Sequence, residues 1–98
     1  MKALVSAVLI LLVAAVSAQS ATRKGTWSNG KSVRVIEKAG NQVTYCTQGL
    51  PCLNATLQNG SKLIKGDGWT VGITKSGSCY KLRYKRTSDG TDMRTKAC

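Results

Sequence analysis

Residues 69–86 read WTVGITKSGSCYKLRYKR, with apolar and polar residues alternating on both sides of Ser76-Gly77. Alternation with period two is typical of half-buried β-strands, and a Ser-Gly pair between two such runs is typical of a turn. One side of the two runs collects the large apolar residues Trp69, Val71, Ile73, Tyr80, Leu82 and Tyr84. The stretch therefore predicts a β-hairpin with one apolar face and one polar, strongly basic face.

The same pattern extends through the rest of the chain. Turn signals such as Asn29-Gly30, Asn59-Gly60 and Asp89-Gly90 supply the positive φ angles that tight hairpins need. No window of about eleven residues keeps helical periodicity without a glycine. Strands are predicted at approximately residues 24–28, 31–37, 42–46, 53–58, 62–65, 69–74, 79–86 and 93–97. We expect an all-β fold, a small disulfide-stapled antiparallel sandwich or partly open barrel of about 6–8 short strands.

Alternation also assigns the apolar core. Outside the hairpin, the residues predicted to face inward are Val33, Val35, Val43, Tyr45, Leu53, Ala55 and Leu57. Trp69 alternates with Val71 and Ile73 and is therefore predicted to pack in the core. The sequence leaves the position of Trp27 open, because an exposed tryptophan would instead contact carbohydrate or a membrane interface.

The first eighteen residues have the layout of a secretory signal peptide. Lys2 gives a basic start, residues 3–16 form an apolar run broken only by Ser6, and Val16-Ser17-Ala18 supplies compact residues before Gln19. The run is shorter than the ~20 residues that span a bilayer. We therefore predict that residues 1–18 are cleaved. Residues 19–98 would then form a single secreted cationic β domain that begins with a loose basic arm at 19–24.

Four cysteines, Cys46, Cys52, Cys79 and Cys98, lie in the predicted mature chain. An even number in a small secreted chain indicates two disulfides, and the spacing contains no Cys-x-x-Cys pair of the kind that binds zinc. The sequence also contains no histidine, so we expect no metal and no cofactor. Four cysteines allow three pairings, and the residues themselves do not choose between them.

Positive charge is the second strong signal. The chain carries 15 Lys and Arg against 4 Asp and Glu, a net charge of +11 at pH 7. Such a surface attracts anionic partners, and we expect an anionic surface, a glycosaminoglycan or an acidic protein. Contact with a membrane surface fits the charge, although no transmembrane segment is predicted. Secretion argues against nucleic acid as the partner, and we expect a monomer.

The densest charge lies in the second run of the hairpin. In a strand, Lys81, Arg83 and Lys85 project from one face about 6.5–7 Å apart, and Arg86 follows them. We predict that these four residues bind a polyanion, with Tyr84 and Trp27 at the margin. The alternative is a solvated face at a sheet edge, where lysine prevents aggregation. Other basic residues extend the patch only if the fold brings them to it: Arg23, Lys24, Lys31, Arg34, Lys62, Lys65, Arg94 and Lys96.

Two sequons for N-linked glycosylation follow each other closely, Asn54-Ala55-Thr56 and Asn59-Gly60-Ser61. Asn54 falls on the polar side of its predicted strand, and Asn59 falls at a predicted hairpin tip. Both positions are expected to be accessible to a glycan.

The residue inventory argues against an enzyme. Without histidine the usual general base is missing, and oxidised cysteines leave no thiolate nucleophile. Asp89 and Asp92 lie in a basic turn, where a carboxylate is held ionised and its pKa is not raised. We therefore expect the protein to act by binding.

Part of residues 42–98 resembles an immunoglobulin-type domain. The similar stretches are Val43-Thr44-Tyr45-Cys46, Asn59-Gly60-Ser61-Lys62-Leu63, Tyr80-Lys81-Leu82-Arg83-Tyr84, and Asp92 ahead of Cys98. The chain departs from the family at Leu57, where the family has its core tryptophan, and at Arg94 and Lys96, where it has glycine and tyrosine. The resemblance implies an inter-sheet Cys46–Cys98 disulfide, and we carry over no binding function from it.

Three hypotheses for function agree with these features. The first is a secreted host-defence or host-interaction protein, antimicrobial in character, that engages anionic surfaces or polyanions. The second is a structural or adhesive component of an extracellular matrix, which suits the even Ser, Thr, Gly and Lys content. The third is a salivary or venom-type effector, or a ligand, that blocks one specific protein.

Overall fold

A computed structural model describes residues 21–98, so the predicted signal peptide at 1–18 lies outside the described part of the chain. The described residues form eight strands, which confirms the all-β prediction. The strands are β1 (Thr22–Thr26), β2 (Ser32–Glu37), β3 (Gln42–Thr47), β4 (Leu53–Thr56), β5 (Ser61–Gly66), β6 (Trp69–Ser76), β7 (Cys79–Arg86) and β8 (Thr91–Ala97). Within residues 21–98, no helix is long and apolar enough to cross a membrane.

The strands form two four-stranded antiparallel sheets, ordered β1-β2-β3-β4 and β5-β6-β7-β8. Each sheet is a meander, because every strand pairs with its neighbour in sequence. The chain passes from the first sheet to the second at Asn59-Gly60, where both residues have positive φ angles of 54° and 81°. These angles match a type I′ turn, for which Asn-Gly is the preferred pair. Gln58 and Ser61 flank the turn and exchange two backbone hydrogen bonds of 2.9 and 3.1 Å.

The inner faces of the two sheets pack on each other and share one core, which makes the fold a sandwich and not a closed barrel. The predicted alternation is confirmed at most positions. The buried side chains include Val33, Val35, Val43, Tyr45, Ala55, Leu57, Val71, Ile73, Tyr80 and Leu82. The two tryptophans differ: Trp27 is buried, whereas Trp69 packs against the core but is only partly buried.

Strands β1 and β8 bring the two sheets together along one side of the sandwich. The Cys98 amide donates a 2.9 Å hydrogen bond to the Lys24 carbonyl. Gly25 permits this approach, because a Cβ atom there would overlap the carbonyl oxygen of Lys96. The expectation of a loose arm at residues 19–24 is therefore wrong from Thr22 onward. Pairing with β2 and contact with β8 order that segment as a strand.

The disulfides join Cys46 to Cys52 and Cys79 to Cys98. Each bond lies within one sheet: the first closes the connection between β3 and β4, and the second ties the start of β7 to the end of β8. The inter-sheet Cys46–Cys98 bond that the immunoglobulin resemblance implies is wrong. Cys46 and Cys98 each lie beside a different cysteine. The pairing of β7 with β8 places Cys98 beside Cys79, and a short connection joins Cys46 to Cys52.

Candidate polyanion-binding face and sandwich-end cavity

The outer face of the second sheet carries the predicted basic ladder. Lys81, Arg83 and Lys85 alternate along β7 and are all exposed, as predicted. The strand register places Lys96, Arg94 and Asp92 of β8 beside them, one opposite each in that order.

On the other side of β7, Thr70 of β6 lies between Lys85 and Lys65 of β5. We call the six cations of this surface the cationic face: Lys65, Lys81, Arg83, Lys85, Arg94 and Lys96.

The cationic face contains one acidic residue, Asp92. Arg83 donates two hydrogen bonds to its carboxylate, from Nε at 3.0 Å and from Nη2 at 2.8 Å. These bonds hold the pKa of Asp92 below its usual range. Among residues 21–98, the other five cations of the face make no salt bridge. The cationic face therefore keeps a strong positive net charge even though Asp92 neutralises Arg83.

Like charges stand directly opposite each other across β7 and β8. Lys81 is paired in register with Lys96, and Arg83 is paired with Arg94. Side chains in such positions have Cβ atoms about 4.5–5.5 Å apart, and equal charges there destabilise a sheet. An anion bound on the outer face, between the paired cationic side chains, would relieve that repulsion.

A shallow depression of about 510 Å³ runs across this surface. Gly72 forms part of its floor. Thr74 follows two residues later on β6, and Arg83 and Lys81 of β7 lie opposite Gly72 and Thr74, respectively. A Cβ atom at Gly72 would meet only Leu63 at an ordinary 3.8 Å, so packing does not require glycine here. A glycine inside a strand lowers the surface locally and is often found where a ligand approaches the backbone.

Arg86 does not join the other three residues predicted to bind a polyanion. It shares a register row with Trp69 and Thr91 on the inner side of the sheet, and it donates hydrogen bonds from Nε and Nη2 to Asp89 at 3.3 and 2.9 Å. The Thr91 hydroxyl, the Arg86 guanidinium and the Thr91 amide together hold the pKa of Asp89 well below its usual range. Asp89 lies in the turn between β7 and β8 and Asp92 lies on β8, and the lowered pKa of each agrees with the expectation that both stay ionised.

The fold assigns five of the eight basic residues that sequence alone left unplaced to one sheet face or the other. Lys65, Arg94 and Lys96 complete the cationic face, whereas Lys24 and Arg34 pair in register on the outer face of the first sheet. Sequence could not make this division, because it depends on which strands are neighbours and in which register.

A second candidate site, the sandwich-end cavity, opens between the sheets at the end where Trp27, Tyr45, Trp69 and Tyr84 meet. Its volume is about 650 Å³, and Arg86 lines it together with Leu50, Leu53 and Met93. The Trp27 and Tyr84 rings pack edge to face with centroids 6.3 Å apart. The Arg86 guanidinium lies 5.9 Å from the centroid of the Tyr84 ring. Tyr84 and Trp27 therefore line this cavity and do not flank the cationic face.

A short hydrogen-bond chain lies in the wall of the sandwich-end cavity. Trp27 Nε1 donates to the Thr47 hydroxyl at 3.4 Å, and Thr47 donates to the Tyr45 hydroxyl at 2.6 Å. Burial raises the pKa of the Tyr45 phenol. Sequence reasoning did not foresee this cavity. The only signal for it in the sequence was the set of aromatic residues, because alternation did not show which of them would pack together.

Both sequons lie on exposed positions. Asn54 is on the outer face of the first sheet, where it accepts a 2.8 Å hydrogen bond from the Thr44 hydroxyl. Asn59 is at the tip of the turn between the sheets. A glycan on Asn54 would project from the sheet opposite the cationic face, and glycosylation of both sites stays a prediction.

Comparison of the chain with protein-family models, with curated proteins and with solved structures finds no match.

Proposed function

We propose that this protein is a secreted, cationic binding protein that engages anionic surfaces or linear polyanions through the cationic face. The biological setting that we propose is host defence or another host interaction. The observation that carries the proposal is the convergence of six exposed cations from β5, β7 and β8 on one sheet face that holds a single carboxylate.

The spacing of the charges supports a repeating anion as the partner. Neighbouring strands lie about 4.8 Å apart, and alternate residues along a strand lie about 6.5–7 Å apart. The cationic face is thus a flat grid of positive charge. A polymer with several anionic groups can neutralise several of these cations at once, and each contact releases bound counterions.

Two disulfides support an extracellular setting, because such bonds persist in oxidising compartments. The basic and apolar pattern of residues 1–18 supports export through a secretory signal peptide. Binding is favoured over catalysis because the chain has no histidine and its four cysteines are paired.

The test is heparin affinity of two double variants that lower the net charge equally. Lys81→Gln/Lys96→Gln removes one opposed pair from the cationic face, and Arg34→Gln/Lys38→Gln removes two exposed cations on and beside β2 of the other sheet. We expect the first variant to elute from heparin at clearly lower salt. The slope of log K against log salt should fall by about 1–2, as expected for two lost ionic contacts. The second variant should elute close to the unmodified protein.

Equal shifts for the two double variants would show that only net charge matters and would overturn the cationic face as the site. Binding that does not weaken with salt would overturn a polyanion as the ligand. The same pair of variants on vesicles of phosphatidylglycerol and of phosphatidylcholine extends the test to anionic membranes. We expect binding to the anionic vesicles alone, weakened by Lys81→Gln/Lys96→Gln.

A further inference from the structure

The sandwich-end cavity collects aromatic side chains that the proposed function does not use. The chain has two Trp, three Tyr and no Phe, and four of these five aromatic residues line the cavity. The fifth, Tyr80, is buried toward the other end of the sandwich, in the register row that includes Ala97. The fold thus concentrates its aromatic surface at one opening.

Several large apolar side chains around the sandwich-end cavity remain partly exposed. Leu53, Trp69, Tyr84 and Met93 pack against the core without being fully covered. Leu50 is 62% exposed at the mouth, in the loop that the Cys46–Cys52 bond closes. Covering such surface stabilises a complex in proportion to its area, and exposed apolar clusters mark ligand sites. A cavity of about 650 Å³ is within the usual range of small-molecule sites.

Two cations, Lys31 and Arg86, line the sandwich-end cavity, no carboxylate is among the described residues that line it, and its other polar side chains carry hydroxyl, amide or indole N–H groups. The Tyr45 hydroxyl accepts a hydrogen bond from Thr47, and it donates none among the hydrogen bonds of residues 21–98. Arg86 gives Nε and Nη2 to Asp89 and keeps its Nη1 hydrogens for another partner. Lys31 also lines the cavity and makes no salt bridge within the described residues. Donors and cations above an apolar wall suit an acceptor or an anion.

We propose that the sandwich-end cavity binds one small amphipathic organic anion, an apolar body that carries a single carboxylate or sulfate group. The apolar body lies against Trp69, Tyr84 and Met93, and the anionic group lies toward Lys31 and Arg86. The ligand enters as a soluble monomer. This site is separate from the cationic face, and it does not depend on the proposed polyanion binding.

The probes for this proposal are four simple compounds. Decanoate, decanol and decyltrimethylammonium share an apolar chain and differ in charge, and acetate has the carboxylate without the chain. Both tryptophans of the chain line the cavity, so intrinsic fluorescence reports its occupancy directly. Below the micellar concentration, we expect decanoate to bind with 1:1 stoichiometry and to shift the tryptophan emission. Decanol should bind at least about tenfold more weakly, because hydrogen bonds to a charged group are lost. Acetate should cause no shift.

Two leucines provide a matched pair of variants. Leu50 and Leu63 are 62% and 51% exposed, but only Leu50 lines the cavity. Leu50→Asp places a negative charge at the mouth and should weaken decanoate binding by about tenfold or more. Leu63→Asp changes the net charge equally and should leave decanoate binding within about twofold. Both changes are on the surface, where substitutions usually preserve the fold.

Three results would overturn the proposal. Equal affinities for decanoate, decanol and decyltrimethylammonium would show that the negative charge of the ligand does not contribute to binding. A stoichiometry of several ligands per chain would indicate nonspecific adsorption. Equal effects of Leu50→Asp and Leu63→Asp would place the ligand outside the cavity. Because none of these measurements uses heparin, failure here leaves the test of the cationic face unaffected.

Discussion

Glu37 is the carboxylate that the two sheets share. It lies at the end of β2, partly buried, and its Oε2 accepts a 2.5 Å hydrogen bond from the Tyr80 hydroxyl of β7. Its Oε1 accepts from Arg23 of β1 at 3.4 Å, and Lys75 of β6 lies 3.9 Å away. One acidic side chain thus connects four strands. It does so at the end of the sandwich opposite the sandwich-end cavity.

Tyr80 makes the stability of the protein sensitive to alkaline pH. Burial, and then the hydrogen bond to the Glu37 carboxylate, raise the pKa of Tyr80 to about 12. The unfolded chain loses this proton near pH 10, whereas the folded chain keeps it, so the stabilisation is complete below pH 10 and is lost as pH rises from 10 to 12. Between pH 8 and pH 11 the loss should be about 1.4 kcal/mol.

Urea unfolding of the protein and of Tyr80→Phe at both pH values measures this contribution. We expect the variant to be less stable at pH 8, because Glu37 loses a partner, but to lose less stability on going to pH 11. Tyr84→Phe on the same strand is the matched control for removing one phenol. If Tyr80→Phe and the unmodified protein decline in parallel, Tyr80 does not carry the effect.

Each sheet has its own disulfide, and neither bond joins the two sheets. The two bonds differ in the length of chain they enclose, with sequence separations of 6 for Cys46–Cys52 and 19 for Cys79–Cys98. The Cys79–Cys98 bond also fixes Cys98, whose backbone pairs with Lys24 of the other sheet. It therefore supports the side of the sandwich that β1 and β8 close.

The two bonds should differ in their effect on stability. Chain entropy assigns about 2 kcal/mol to the short loop and about 3 kcal/mol to the long one. Replacing Cys79 and Cys98 with alanine should therefore lower the free energy of unfolding more than replacing Cys46 and Cys52. Urea unfolding of the two double variants measures both values. A larger loss for the Cys46/Cys52 variant would contradict this ranking.

The two candidate sites occupy opposite sides of one sheet. The cationic face is the outer side of the β5–β8 sheet, and the sandwich-end cavity lies on its inner side. Arg86 alternates away from Lys85 and belongs to the cavity. The β5–β8 sheet lies between the two sites, and they share no lining residue.

Binding at the two sites should therefore be independent. Saturating decanoate should leave the salt concentration of elution from heparin unchanged, and heparin should leave the affinity for decanoate within about twofold, because uncoupled sites have no interaction free energy. Heparin chromatography with and without decanoate, and fluorescence titration with and without a heparin fragment, measure both directions. Displacement of decanoate by heparin would contradict this independence.

The local features of this protein can be predicted from its amino-acid sequence. Alternation predicted the hairpin of Trp69–Ser76 and Cys79–Arg86 and the inward direction of most apolar residues. Asn59-Gly60 predicted a turn, because the preference for positive φ angles is a property of the residues themselves. These features depend on neighbours in the chain, and a period of two is visible without knowing the fold.

Which distant residues meet depends on how the strands pair and pack. The partners of the cysteines, the arrival of Lys65, Arg94 and Lys96 at the cationic face, and the grouping of aromatic residues around the cavity all follow from strand order and register. A register shift of one residue would exchange the two faces of a strand without changing its alternation. The alternating pattern of a strand therefore shows that one of its sides is basic. Strand pairing determines which other residues lie beside that basic side.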